Sequence, residues 1–305
     1  MKVRIAAAAA VGVVLIGILA WPLAAQSDPF SVVSILAGDM TFGSTVILAA
    51  LAFLVGLIAF FVAWPFGKEI AVIAVPAGLA VWALRTGSMA QLIQAKATLA
   101  GHEQSQVAAA LQSRQDLFTA LKWEPFFWLV VVIAGFAGVT LASKIRPAPK
   151  AEETSDKTAP KVGAYLNSAI ALVFSVLISQ FAIRILAQDV SIFDQNLGAV
   201  TAQPAIGQIV FAVLVAFGLA AFVVKRFLNA CFIWPTIASA LVTVFATTIY
   251  LKASVADHLL RTWPAAFFSN QVLTILPIQM VALGTLGAIA GHWLAVRYTY
   301  WRKHE

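Results

Sequence analysis

"KIRPAPKAEETSDKTAPK" (Lys144–Lys161) is the longest charged stretch in a chain that is otherwise strongly apolar. It is rich in Lys, Glu, Pro, Thr and Ala and holds too few apolar side chains to bury a core, so it reads as a solvated linker. Its position decides the fold. Apolar segments of membrane-crossing length lie on both sides of it, four before and four after.

The 305 residues are 61% hydrophobic and 11% charged, with a mean hydropathy of +0.91. A soluble domain is roughly 45–50% apolar and about 25% charged. A soluble chain of this composition could not cover its own surface, so its main solvent, and its first partner, is expected to be the lipid bilayer. The net charge of +7 and pI near 9.7 would suit nucleic acid in a soluble protein. Here Lys and Arg lie in the loops and tails, where they set orientation, and no nucleic-acid partner is expected. Cys231 is the single cysteine, so an intrachain disulfide is impossible. With no Cys or His cluster around it, neither a metal site nor any cofactor is expected.

A spanning helix needs about 20 apolar residues. Such segments run Ile5–Ala25, Gly43–Trp64, Ile70–Thr86, Phe126–Ser143, Ala164–Ala187, Ala205–Val224, Cys231–Leu251 and Val272–Val296. If the N-terminus is cytoplasmic, the Lys and Arg of both termini, of the linker and of the turns at Lys68 and Lys225–Arg226 all fall inside. Only Arg85, Lys96, Arg114, Lys122, Lys252 and Arg261 fall outside, and Arg184 stays within a span. This bias predicts an inner-membrane protein with both termini cytoplasmic. The start, "MKVRIAAAAAVGVVLIGILAWPLAAQSD", also reads as a signal peptide with small residues near Ala24–Ala25. Cleavage there would leave seven spans in the same orientation.

The two halves share a plan: a span, a short outer loop, a span, a tight basic inner turn, a span, a long outer loop, and a span. Both short loops begin Ala-Gln and soon reach an aspartate, Asp28 or Asp189. "GSTVILAALAF" (from Gly43) then matches "GQIVFAVLVAF" (from Gly207). Pro76 in "AVPAGLA" corresponds to Pro235 in "IWPTIASA". The expected fold is therefore an all-α membrane protein of about eight transmembrane helices. They form two tandem four-helix units in parallel orientation, with helical outer loops. The units are 1–143 and 164–305, joined by the cytoplasmic linker 144–163, and an axis along the membrane normal would relate them.

In the first long outer loop Val107, Ala110, Leu111, Arg114, Phe118 and Leu121 recur at helical spacing. With a break at Gly101–His102, this predicts two helices lying on the outer leaflet or capping the bundle. In the second, Asp257 and Arg261 are placed for an i,i+4 ion pair beside His258.

Ionisable groups deep in a span are the usual pointers to transport or catalysis, and this chain offers few. Glu124 and Asp189 sit at span borders, and none of the motifs H-E-x-x-H, G-x-S-x-G or the P-loop occurs. No catalytic residue is singled out. A candidate polar path or functional face remains: Ser175, Ser179, Gln180 and Arg184 in the fifth span, and Thr236, Ser239, Thr243 and Thr247 at steps of three or four in the seventh. Gly284, Gly287 and Gly291 in "GTLGAIAG" suit close helix packing. Arg184 stands near the outer end of its span, where it can snorkel to the headgroups with Asp189 in reach. The leading expectation is a non-enzymatic scaffold or accessory subunit that meets other membrane proteins through its outer loop helices. The alternatives are a transporter or channel with a path between the halves, and a lipid-directed enzyme using Glu124, Asp257 and His258.

Overall fold

The computed structural model describes residues 2–24, 32–38, 40–96, 104–147 and 161–302. Among these, eight helices are long and apolar enough to cross a membrane. The chain is a polytopic integral membrane protein. Most of the linker, and the break expected at Gly101–His102, lie outside the described residues.

In the first half, α1 (Lys2–Gly12) continues as a π-helix (Val13–Leu19), and α2 (Phe42–Val62) follows. The third crossing is assembled from α3 (Gly67–Ile70), a 3-10 turn (Ala71–Ile73) and α4 (Ala74–Arg85). After α5 (Met89–Lys96) comes α6 (Gln104–Ile145). In the second half α7 (Lys161–Leu186), α8 (Ile206–Leu228), α9 (Ile233–Tyr250) and α11 (Pro277–Arg302) cross, and α10 (Ala253–Thr262) lies in the long outer loop. Pro76 and Pro235 each fall third in their helix, within the first turn, where the missing N–H breaks no helical bond.

Three helix pairs touch backbone to backbone. Along α1 and α4, a Cβ added to Gly12 would run into the Ala74 carbonyl. Along α2 and α6, a Cβ added to Gly56 would stand 2.0 Å from the Gly135 carbonyl oxygen. Along α8 and α11, a Cβ at Gly291 would stand 2.0 Å from the Gly218 oxygen. Small residues allow this approach, which lipid, being as apolar as the side chains, does not itself drive. α1 packs on α4 and α7 on α9; across the halves α6 meets α9, and α4 meets α11.

Two outer elements differ from the sequence-based expectation. The second of the two predicted loop helices is not a separate one on the leaflet. α6 is a single helix of 42 residues that runs through Pro125 into the fourth crossing. Its outer stripe is turned onto protein: Ala110, Arg114, Phe118 and Leu121 are buried. The short outer loop of the second half is not helical either. β1 (Ser191–Asp194) and β2 (Gly198–Ala202) form an antiparallel hairpin, and β2 also pairs with β3 (Phe267–Phe268). The turn is specified locally. Asp194 Oδ1 accepts from the N–H groups of Asn196 (2.8 Å) and Leu197 (2.9 Å), and Gly198 takes the positive φ of 79° that ends the turn.

Basic side chains lie over aromatic rings at the helix ends: Arg146 over Trp64 at 4.4 Å, Arg297 over Trp301 at 4.5 Å and Arg85 over Trp21 at 4.1 Å. Such amphipathic pairs suit the boundary between lipid and water.

Candidate functional site

The fifth-span residues do not share one face. Ser175 and Ser179 are buried, Gln180 is half-buried, and Arg184 is exposed beside Phe181 and Ile185. The Ser175 hydroxyl donates to the Ala171 carbonyl (2.7 Å), and Ser179 donates to Ser175. Among the described residues Arg184 and Asp189 form no ion pair.

The seventh-span residues Thr236, Ser239, Thr243 and Thr247 do share a buried face. Their hydroxyls return to their own helix. Thr236 donates to Phe232, Ser239 to Thr236, Thr243 to Ser239 and Thr247 to Thr243, at 3.1, 2.6, 3.3 and 2.7 Å. Such back-bonding leaves few donors facing a path. Beside this face, a Cβ at Gly284 would stand 3.0 Å from Ser239 Cβ, and one at Gly287 2.5 Å from the Leu214 oxygen.

The most highly organised polar site is built around Glu124, which the sequence places at a span border and offers to the lipid-directed enzyme alternative. Glu124, fully buried in α6, receives the Ser34 hydroxyl on Oε2. Its Oε1 accepts from the Ile35 N–H (3.1 Å) and the Trp128 indole (3.0 Å). Residues 32–38 are thereby drawn onto the middle of α6. Two more bonds complete the fastening: Val33 N–H to Thr86 Oγ1 (2.9 Å) and Ala37 N–H to Ser34 Oγ (3.0 Å). Trp128 stacks edge-on with Trp82, and Trp82 with Trp21, at 6.5 and 5.8 Å. The Trp82 indole donates to the Ile16 carbonyl (2.8 Å) inside the π-helix. No described cation pairs with Glu124. Neutral donors hold the carboxyl in place, which makes it an anchor for the loop. The legible signal was Glu124 and Trp128 one turn apart before an apolar run. Ser34, 90 residues away, carried none.

The second-half outer loops are also fastened by a carboxylate. Asp257 and Arg261 form the expected pair at 2.8 Å, but His258 turns away from them to Asp194. Its Nε2 lies 2.9 Å from Asp194 Oδ2, and the Trp263 indole donates to the same oxygen at 2.7 Å. With Nε2–H given to Asp194, Nδ1 can accept from the Asn196 amide at 3.2 Å. The His258 and Trp263 bonds, with the backbone N–H groups of Leu197 and Asn196, hold the Asp194 carboxyl well below the ordinary carboxylate range. Its stabilising contribution is therefore complete above the ordinary value of 3.8 and is lost only as the pH falls from there toward the depressed one. Hydrogen exchange should show hairpin protection unaffected by Asp194 titration near neutral pH and lost in strong acid. Asp194→Asn should reduce protection already at neutral pH. Equal protection in variant and parent would show that the carboxylate does not hold the hairpin.

Between the halves, at their outer end, lies a cavity of about 200 Å³ bordered by Thr86, Ser88, Gln91, Gln203 and Gln279. Its amides span the seam. Gln203 Oε1 accepts from the Ala90 N–H (3.2 Å), and Gln279 Nε2 donates to the Ala83 carbonyl (3.2 Å). Comparison with known protein families, with characterised proteins and with solved structures gives no match in any of the three.

Proposed function

We propose that this protein is a non-enzymatic scaffold or accessory subunit of an inner-membrane assembly, with both termini cytoplasmic and its outer loop elements presented to other membrane proteins. The observation that carries this reading is the closed interior. The buried hydroxyls of α9 are bonded within their own helix, and α11 meets α8 at Gly291 with no room for a side chain there. A conduction path needs donors and acceptors left free to replace a solute's water.

The helix contacts also support two tandem parallel units. The pairs α2/α6 and α1/α4 of the first half have counterparts in α8/α11 and α7/α9 of the second. Exchanging the halves likewise turns the α6/α9 contact into α11/α4. That is the pattern of a two-fold axis along the membrane normal through the seam.

Transport through the seam is the second reading, and the cavity between Thr86 and Gln279, lined by three glutamines among apolar side chains, favours it. Cysteine accessibility in a Cys231→Ser background separates the two. Ser88→Cys, at the cavity, should react with a membrane-impermeant thiol reagent. Thr243→Cys and Ser179→Cys should stay unreactive from both sides of the membrane. Labelling of Thr243→Cys by the impermeant reagent would replace the scaffold with a water-accessible path.

A further inference from the structure

We propose that β1 is a membrane anchor: Val190, Ile192 and Phe193 enter the interfacial layer of a phospholipid leaflet, and Arg184 takes the lipid phosphate. The lipid-facing stripe of α7 runs through Val173, Leu177, Phe181 and Ile185, all exposed on the helix surface at steps of four. Arg184 opens from the same side, in the last turn of the helix, with no carboxylate paired to it among the described residues. The exposed polar side chains of Gln188 and Asp189 mark the helix exit, and apolar surface resumes directly after them. Val190, Ile192 and Phe193 are exposed, Phe193 to 78%, and no charge interrupts positions 190 to 193.

The hairpin is held directly at the helix end. Gln208, in the first turn of α8, donates through Nε2 to the carbonyls of Leu186 (3.2 Å) and Gln188 (2.9 Å). This keeps the base of β1 at the level where α7 leaves the hydrocarbon. The one acidic side chain of β1, Asp194, is turned inward to His258 and Trp263. Side chains alternate across a strand, so Ile192 and Phe193 stand on opposite faces of the hairpin, and both reach the leaflet with the free edge of β1 leading. Together with the neighbouring guanidinium they supply the chemistry of a headgroup boundary. Depth is limited by the backbone. The sheet order β1-β2-β3 leaves one edge of β1 unpaired, and unpaired N–H and C=O groups cannot enter hydrocarbon. The strand therefore rests among headgroups and first methylenes.

The test uses the full chain with Cys231→Ser in vesicles of phosphatidylcholine and phosphatidylglycerol. Phe193→Cys carries an environment-sensitive fluorophore, and Gln195→Cys, in the hairpin turn, is the reference. Bound at 193, the probe should emit to the blue of the reference and lose intensity when shallow spin-labelled lipid is added. Arg184→Ala should abolish any preference of that quenching for spin-labelled phosphatidylglycerol over phosphatidylcholine. Quenching at 193 by aqueous iodide, with none by lipid, would overturn the anchor. Cross-linking of 193 to another polypeptide in native membranes, without lipid quenching, would also overturn it and give β1 to a protein partner. Ile192→Cys provides the same readout should Phe193→Cys not elute as a folded species.

Discussion

Glu124→Ala is expected to unfasten residues 32–38 and to lower the stability of the first half more than any other single side-chain truncation in it. The change leaves the Ser34 hydroxyl, the Trp128 indole and the Ile35 N–H without an acceptor in a site closed to water. Each orphaned buried donor costs about 1–3 kcal/mol. The three share one site and do not add independently, so the expected loss is about 3–5 kcal/mol. It should appear as a lower thermal midpoint in detergent and as faster hydrogen exchange across 32–38. Glu124→Gln keeps one acceptor oxygen and should retain part of both. Thr86→Val removes only the acceptor for the Val33 N–H and should cost less. If Glu124→Ala exchanges in this segment at the parent's rate, the carboxyl does not hold the loop.

The second large effect is expected at Gly291. A methyl group there would stand 2.0 Å from a carbonyl oxygen of the facing helix, 2.7 Å from its carbon and 2.8 Å from the Gly218 Cα. These are backbone atoms and cannot rotate aside, so α8 and α11 must separate along the contact that closes the second half. Overpacking costs about 1–3 kcal/mol, occasionally more, and Gly291→Ala belongs at the upper end of that range. Gly207→Ala is the control, because nothing lies within 4 Å of its Cβ. It should be neutral or mildly stabilising, since glycine is a poor helix residue. Thermal unfolding of the two variants side by side checks the claim, and equal midpoints would refute it.

The eight crossings were legible because hydropathy over about 20 residues is a strong and local signal. The first-turn prolines at 76 and 235 were equally local. Failures came where the deciding contact was distant or a local rule was outvoted. The sequence places the start of the fourth crossing at Phe126, with Glu124 at its border. In the structure Glu124 is helical, and its bond to Trp128 spans the turn that contains Pro125. The grouping of Asp257, His258 and Arg261 was correct for the ion pair. It was blind to Asp194, 64 residues from His258 in the chain. The hairpin was missed because its strands are four and five residues long, too short to stand out between two crossings. The polar residues of α9 were visible as a periodic face, but periodicity does not reveal whether hydroxyls look outward or back to their own carbonyls.

The length of α6 carries a mechanical consequence. Forty-two helical residues make a rod about 63 Å long, roughly twice the hydrocarbon thickness. Near its middle Glu124 grips residues 32–38 of the first half, and further along Phe136 meets Phe232 of the second at 5.8 Å. Before Glu124 the rod is also seated on the second half, where the Phe118 ring lies 4.0 Å from that of Tyr250. One half cannot tilt against the other without tearing this strut from its seat. The geometry is that of a braced frame rather than a hinge, because the one rod bears on α2 in the first half and on α9 and α11 in the second.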